Sequence, residues 1–320
     1  MKVKIAAAQY DIGFLDNWEN YRQKIERWVG EAADQGAKIL LFPEYGSMEL
    51  ASLFGQDVYS SLSKQLAAMQ SLLDDYIELN RELAQKHHCY IQAGTFPVRI
   101  EGEIYHNRAY LFTPNGEFDY QDKLMMTRFE NEQWLINRGL ELKCFDTDYG
   151  RIAINICYDS EFPMLARKQV EAGANLILVP SCTDTLAGYN RVRIGCQARA
   201  LENQCYVVQS PTVGHAPWSE AVDVNIGAAA IYTPVDRGFP DDGILAIGEL
   251  NASQWVFAEI DLDSIARVRE NGQVFNYRDW PLQHAAAFDT ASNVKAANER
   301  ITTAPARSPA REQDRRIKEQ

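Results

Sequence analysis

Three side chains of this 320-residue chain stand where apolar runs give way to turns, and their types suit one kind of reaction. Glu44 follows Ile39-Leu40-Leu41-Phe42-Pro43, Lys123 follows the segment 117–122, and Cys157 ends the run 152–156. A carboxylate, an ammonium and a thiol brought to one point would divide the labour of nucleophilic catalysis. The carboxylate takes the thiol proton, the thiolate attacks a carbonyl or nitrile carbon, and the ammonium steadies charge developing on the heteroatom. A free thiol of pKa ~8.5 is only slightly ionised near neutrality, so it needs such a base. A strand-to-helix elbow at Cys157 would also bring backbone N–H groups close, and that of Tyr158 with the Lys123 ammonium would complete an oxyanion hole. Each residue has a plainer reading by itself. Glu44 suits a surface carboxylate at a strand end, Lys123 an edge charge, and Cys157 one buried thiol among six. Spacing alone leaves both readings open.

The elements that must position these groups alternate between two periods. From 17 to 35, Trp18, Tyr21, Ile25, Trp28, Val29 and Ala32 keep helical spacing, with Asp16 and Glu19 as a capping box and Gly36 as the stop. The run Ile39-Leu40-Leu41-Phe42 is continuous rather than alternating, as in a strand covered on both faces. A helical stretch over 62–86 leads to a strand over 89–94, and Pro114-Asn115-Gly116 separates the two arms of a hairpin, 109–113 and 117–122. The same grammar returns downstream: strand 152–157, helix 162–172, strand 175–180, helix 191–202, strand 205–209, then sheet over 227–232, 244–247 and 255–262. Strands separated by helices, with hairpins between, predict an α/β sandwich with mixed sheets. Ligand sites in such folds form at the C-terminal ends of strands, where Glu44 and Cys157 stand.

Composition narrows the class of partner. Lys and Arg number 32 against 44 Asp and Glu, a net charge of −12, so the chain carries no electrostatic footprint for nucleic acid or anionic lipid, and a small molecule is the expected partner. No run reaches the ~18 to 20 apolar residues of a membrane span. The opening Met1–Gln9 stretch, followed by Asp11, reads as a first strand rather than a signal peptide. The six cysteines, at 89, 144, 157, 182, 196 and 205, lack C-x-x-C pairing and read as reduced thiols of a cytoplasmic protein. Adjacent His87 and His88 point differently along any regular element and read as a helix end, not a metal site. Residues 1–284 read as one domain with its core over about 3–263. The segment 285–320, rich in Ala, Thr, Pro, Arg and Glu, reads as a disordered polar tail.

Three blocks of the sequence resemble the signature motifs of the nitrilase superfamily of carbon–nitrogen hydrolases, in the family's order. They are Leu40-Leu41-Phe42-Pro43-Glu44, Tyr120-Gln121-Asp122-Lys123-Leu124, and Asn155-Ile156-Cys157-Tyr158-Asp159-Ser160-Glu161-Phe162-Pro163. Ile5-Ala6-Ala7-Ala8-Gln9, the strand from Gly173 to Ser181 and Arg199-Ala200-Leu201-Glu202-Asn203 extend the likeness across residues 3–263. The resemblance implies a four-layer αββα sandwich and no metal or organic cofactor. It implies Glu44 as general base, Lys123 as stabiliser of the tetrahedral intermediate and Cys157 as the nucleophile that forms a thioester. It also implies a homodimer, or a higher homo-oligomer, paired through the helices beside the nucleophile. A second glutamate shortly after the lysine is expected, with Glu130 favoured over Glu132, and two carboxylates beside one lysine should push one carboxyl pKa upward. Tyr158, Ser181, Cys182, Thr183 and Trp218 are the candidate pocket residues. The leading expectation is a thiol amidase that releases ammonia from a small carboxamide. Nitrile and N-carbamoyl hydrolysis are the rivals within that class, and a catalytically silent interaction protein is the rival outside it. The segment 128–135, and Ala229 in Gly227-Ala228-Ala229, depart from the commoner family pattern and leave the substrate class open.

Overall fold

The continuous apolar runs become strands covered on both faces. In the computed structural model of the protein, which describes residues 1–285, Val3, Ile5 and Ala7 of the first strand join one core while Ala6, Ala8 and Tyr10 join another. Ile39 and Leu41 divide from Leu40 and Phe42 in the same way. Alternation of side chains along a strand, with apolar layers on either side, explains why neither segment shows a polar face.

The first half of the chain supplies β1 (Lys2–Asp11), α1 (Trp18–Asp34), β2 (Ile39–Phe42), α2 (Gln56–Tyr59), α3 (Leu62–Met69), α4 (Leu73–His87), β3 (Tyr90–Glu101), β4 (Ile104–Phe112), β5 (Phe118–Asp122) and the two-residue β6 (Ile136–Asn137). The second half supplies β7 (Cys144–Thr147), β8 (Gly150–Ile154), α5 (Pro163–Glu171), β9 (Leu176–Ser181), α6 (Leu186–Asn203), β10 (Tyr206–His215), β11 (Val224–Asn225), β12 (Ala230–Tyr232), β13 (Ile244–Ile247), β14 (Gln254–Asp261) and α7 (Leu262–Asn271). One sheet runs β14-β1-β2-β3-β4-β5 and the other β7-β8-β9-β10-β12-β13. They meet where β1 pairs with β10, through Tyr10↔Thr212 and Asp11↔Val213.

Helices α1 and α4 cover the outer face of the first sheet with Tyr21, Ile25, Trp28, Tyr76, Leu79 and Leu83. Helices α5 and α6 cover the second with Ala166, Val170, Val192, Cys196 and Ala200. This is the four-layer αββα sandwich expected from the sequence. Ile39, Leu40 and Leu41 are wholly buried, and each such side chain contributes about 1.5 to 3 kcal/mol. That burial fixes β2 between its layers and so fixes where the chain emerges from it.

Pairing directions bring the functional ends together. β1, β2, β3, β8, β9 and β10 are linked by parallel pairings, and β5, antiparallel to β4, returns in the direction of β3. The chain therefore leaves β2, β5, β8 and β9 towards the same edge of the sandwich.

Local boundaries differ from the sequence expectation at a few points. The cap of α1 is Asn17, whose Oδ1 accepts from Asn20 N at 2.9 Å, rather than Asp16 with Glu19. Two good capping residues stand side by side there, and the extended backbone at Asn17 decides between them. The single helix expected over 62–86 breaks at Gln70, because its side chain bonds Pro97 O (2.8 Å) and Arg99 N (2.8 Å) and ties a 3-10 turn to β3. The strand expected over 152–157 ends at Ile154, and Cys157 opens a 3-10 turn through Glu161. Of the expected tail, all but its first residue lies outside the described residues.

Candidate active site

Each group of the site sits within three residues of the end of a strand. Glu44 follows β2, Lys123 follows β5, Cys157 follows β8, and Cys182 and Thr183 follow β9. Backbone strain marks two of these exits. Tyr45 (φ 57°) and Cys157 (φ 49°) adopt left-handed conformations that cost an L-residue about 1 kcal/mol or more. Close packing at two glycines accommodates the turns. Gly94 (φ 77°) lies so near the Pro43 carbonyl oxygen that a Cβ would collide with it, and a Cβ at Gly195 of α6 would come 3.0 Å from Ser160 O in the Cys157 turn.

Lys123 is the centre of the group. Its ammonium, 1% exposed, donates to Glu44 Oε1 at 2.7 Å and to both oxygens of Glu130 at 2.8 Å. Glu44 Oε1 also accepts from Asn107 Nδ2 at 2.8 Å, so one oxygen takes the amide and ammonium donors. The Cys157 thiol lies close enough to the same carboxylate to feel its charge, and it donates to Cys182 O at 3.7 Å. Glu130 is better supplied, accepting also from Tyr45 Oη (2.7 Å), Thr127 N (2.8 Å) and Thr127 Oγ1 (2.9 Å). Glu132 is not in the site and pairs with Arg128 instead.

These bonds explain how the protons are held. Burial pushes the Glu44 carboxyl up, against the pull of Lys123 and with the help of the neighbouring Glu130 charge. Burial acts on Glu130 in the same direction, but Lys123, Tyr45 and Thr127 outweigh it and hold that carboxyl low. Of the two carboxylates, Glu44 is thus the more basic. Burial works against the Lys123 ammonium, and its two carboxylates reverse this and raise it well above the ordinary lysine value. Burial and the nearby Glu44 charge push the Cys157 thiol well up, so the resting pair is a thiol beside a carboxylate.

A further buried carboxylate ties two exits together. Asp159 Oδ1 accepts from Leu124 N (3.1 Å) and Met125 N (2.7 Å), and its Oδ2 accepts from Ile156 N (3.1 Å). It clamps the chain after Lys123 to the chain before Cys157. Burial pushes this carboxyl up to about 7, despite Lys123 and the three N–H donors.

The group forms the floor of a cavity of about 570 Å³, whose walls include Tyr158, Thr183, Trp134 and Asn225. Of the pocket residues expected from the sequence, Tyr158, Cys182 and Thr183 line it. Ser181 does not reach it: the side chain is buried in β9 and donates to Ser210 O at 3.3 Å. Trp218 is likewise absent from the lining and packs edge-on against Phe14 and Tyr59. Sequence reasoning missed Tyr45, Asn107, Thr127 and Asp159. Tyr45 and Asp159 adjoin residues already singled out, whereas Asn107 enters from mid-strand β4 and has no local signal. Among the described residues no three His, Cys, Asp or Glu side chains cluster at metal-binding distances.

A sandwich of this layout, with a thiol, a lysine and two carboxylates at the shared strand edge, defines a class. The sequence model of the family described as "Carbon-nitrogen hydrolase" matches residues 4–270. The chain belongs to the carbon–nitrogen hydrolase family. Among its relatives, the probable hydrolase YhcX of Bacillus subtilis is 39% identical over 277 residues, which is 87% of this chain and 53% of that protein. The chain thus spans about half the length of that relative. The 2-oxoglutaramate amidase of Bacillus subtilis is 29% identical over 86% of this chain and 97% of that one. The fold matches the NitFhit protein of C. elegans with a TM-score of 0.72 at 24% identity, over 88% of this chain and 66% of that one.

Proposed function

We propose that the protein is a thiol amidase that converts a small carboxamide and water to a carboxylate and ammonia through an acyl-Cys157 thioester. The observation that carries this reading is the meeting of the Cys157 thiol, the Glu44 carboxyl and the Lys123 ammonium at one cavity, with Lys123 Nζ 2.7 Å from Glu44 Oε1. In the first half-reaction Glu44 takes the thiol proton as Sγ bonds to the amide carbon, and the carbonyl π pair moves to oxygen. Lys123 Nζ and a backbone N–H of the elbow, that of Tyr158, stabilise this oxyanion. The oxyanion collapses, the C–N bond breaks, and Glu44 returns its proton to the departing nitrogen as ammonia leaves. Water then gives a proton to Glu44 and its oxygen to the thioester carbon, the C–S bond breaks, and the proton returns to sulfur. Glu130 keeps Lys123 charged and in place throughout. Tyr158 and Thr183 contribute to substrate binding from the cavity wall, a role that the placement of Ser181 does not support.

The amide reading is supported by relatives described as amidases, including the 2-oxoglutaramate amidase. We assign the activity to a domain spanning 1–284 and place the protein in the cytoplasm, in keeping with six unpaired cysteines and no helix, among the described residues, long and apolar enough to cross a membrane. We further propose a homodimer joined through α5 and α6, whose outer faces leave Met164, Ile194 and Leu201 exposed. Light scattering would read a monomer mass if that pairing does not form.

The deciding experiment is ammonia release from short carboxamides, N-carbamoyl amino acids and nitriles, with Cys157→Ala alongside. Release from amides, lost to background in a variant with unchanged circular dichroism, is the expected result. Equal release by the variant would remove the thiol mechanism, and release from nitriles alone would move the assignment to nitrile hydrolysis.

A further inference from the structure

Past its floor, the cavity is lined by more carboxylates than cations. Glu161, Asp184, Glu220 and Asp223 stand along the wall and mouth against Arg128 and Arg191. Both arginines are already engaged. Arg128, 86% exposed, is held by both oxygens of Glu132 at 2.8 Å, and Arg191, 63% exposed, stands 3.8 Å from Glu161. The buried cation, Lys123, is shared between Glu44 and Glu130. Asp184, Glu220 and Asp223 face no cation among the described residues.

Glu161 is the carboxylate with the most fixed place. It closes the five-residue turn that Cys157 opens, and its side chain is 23% exposed in the cavity wall. A carboxylate-bearing substrate entering here would meet Asp184, Glu220 and Asp223, with Arg128 held by Glu132 and Arg191 shared with Glu161. An ammonium or guanidinium would meet Glu161, whose contact with the exposed Arg191 is long at 3.8 Å, in a walled space that focuses its field, beside the aromatic side chains of Tyr158 and Phe129.

We propose that this site takes an amide whose acyl chain carries a positive charge, with Glu161 as the residue that selects it. The proposal rests on the amidase reading above and narrows it to a substrate class.

Three amides of equal length test it: 4-aminobutanamide, butanamide and succinamate, which differ in charge at the far end. The expected order of kcat/KM is cation, then neutral, then anion. Glu161→Gln should lower the ratio of 4-aminobutanamide to butanamide about tenfold, and Glu161→Arg should move the preference to succinamate. Asp184→Asn, at the exposed mouth, should lower the same ratio by less, and it guards against misfolding of the Glu161 variants. Succinamate equal to or better than 4-aminobutanamide in the unmodified protein would overturn the proposal, as would a ratio indifferent to Glu161. A second readout needs no turnover. The aminoethyl and sulfonatoethyl methanethiosulfonates transfer a cationic or an anionic thiol group to cysteine sulfur with loss of methanesulfinate, and peptide mapping separates Cys157 from Cys182. The cation should modify Cys157 faster, relative to the same pair acting on free cysteine, and lose that lead in Glu161→Gln. A lead for the cation without turnover of any amide would remove the amidase reading and leave the charge selection standing. Amide turnover with a lead for the anion would do the reverse.

Discussion

The cluster at Lys123 has a counterpart among the described residues, a second buried lysine–carboxylate cluster that does not line the cavity of the site. Lys24 bonds Glu49 Oε2 at 2.7 Å, the same oxygen takes Gly13 N at 3.1 Å, and Glu49 Oε1 takes the Tyr10 hydroxyl. One ammonium meets one carboxylate there, both oxygens are occupied, and the group ties β1 to α1 and to the turn after Glu44. At Lys123 one ammonium meets two carboxylates, and Glu44 gathers its amide and ammonium donors on one oxygen. The surplus carboxylate, the thiol beside it and the cavity above make the difference. A buried ion pair is therefore no mark of a site by itself. An unbalanced one, opened on a cavity beside a nucleophile, is.

Substitutions can break this contrast or sharpen it. The largest effect is expected from Glu44→Gln, which converts the second cluster into a copy of the first, one ammonium with one carboxylate. Loss of the base should cut kcat by about 10²- to 10⁴-fold while the melting temperature holds or rises. In the unmodified protein the acid limb of kcat/KM should lie above the ordinary carboxylate range, because Glu44 must be ionised and burial has raised it. An acid limb at the ordinary glutamate value would contradict the assignment of the base.

Next comes Lys123→Met, which leaves Glu44 and Glu130 facing each other without a cation. The loss should be about 3 to 5 kcal/mol in chemical denaturation. It should shrink at low pH: without the cation, burial and mutual repulsion raise both carboxyls, so the variant keeps its stability while they are protonated and loses it as pH rises. A smaller loss, about 1 to 3 kcal/mol, is expected from Glu49→Gln, because Lys24 is 12% exposed and keeps its bond to Asp11 O. Turnover per folded molecule should survive that change. A Glu49→Gln variant as inactive as Glu44→Gln would dissolve the distinction between the two clusters.

The smallest effect concerns Asp159. Its folded carboxyl is pushed from 3.8 to about 7, so between those values the folded state holds a proton that the unfolded chain has released. That stability is fully present below about pH 3.8 and is lost as pH rises through about 7. Asp159→Asn, which keeps an acceptor oxygen on one side of the clamp and turns its NH2 to the donors on the other, should remove this component of the pH dependence of the melting temperature. An unchanged slope would mean that the clamp titrates elsewhere.

Much of this was legible in the sequence, for identifiable reasons. Unbroken apolar runs such as 39–42 announce strands buried on both faces, and the helical spacing of Tyr21, Ile25, Trp28, Val29 and Ala32 announces α1 and its buried side. The run ends at Glu44, Lys123 and Cys157 left catalytic and plain readings open, and it was the resemblance of the three blocks to family motifs that pointed to the chemistry. The choice between Glu130 and Glu132 was harder, since both are acids in one polar segment. A single turn of π-helix over Glu130–Trp134 decides it, sending Glu130 to Lys123 and Glu132 to Arg128 in solvent.

The sequence by itself determined the residue types, the strand ends and the layered class of fold, because hydrophobic periodicity and turn chemistry are local. Only the tertiary structure decided which oxygen of Glu44 is engaged, that Asn107 and Tyr45 enter the site, that Ser181 turns away, and that the cavity mouth is acidic. Those facts depend on where parallel strands far apart in the chain end relative to one another. They also depend on how burial sets the balance between one ammonium and two carboxylates, and no local pattern carries that information.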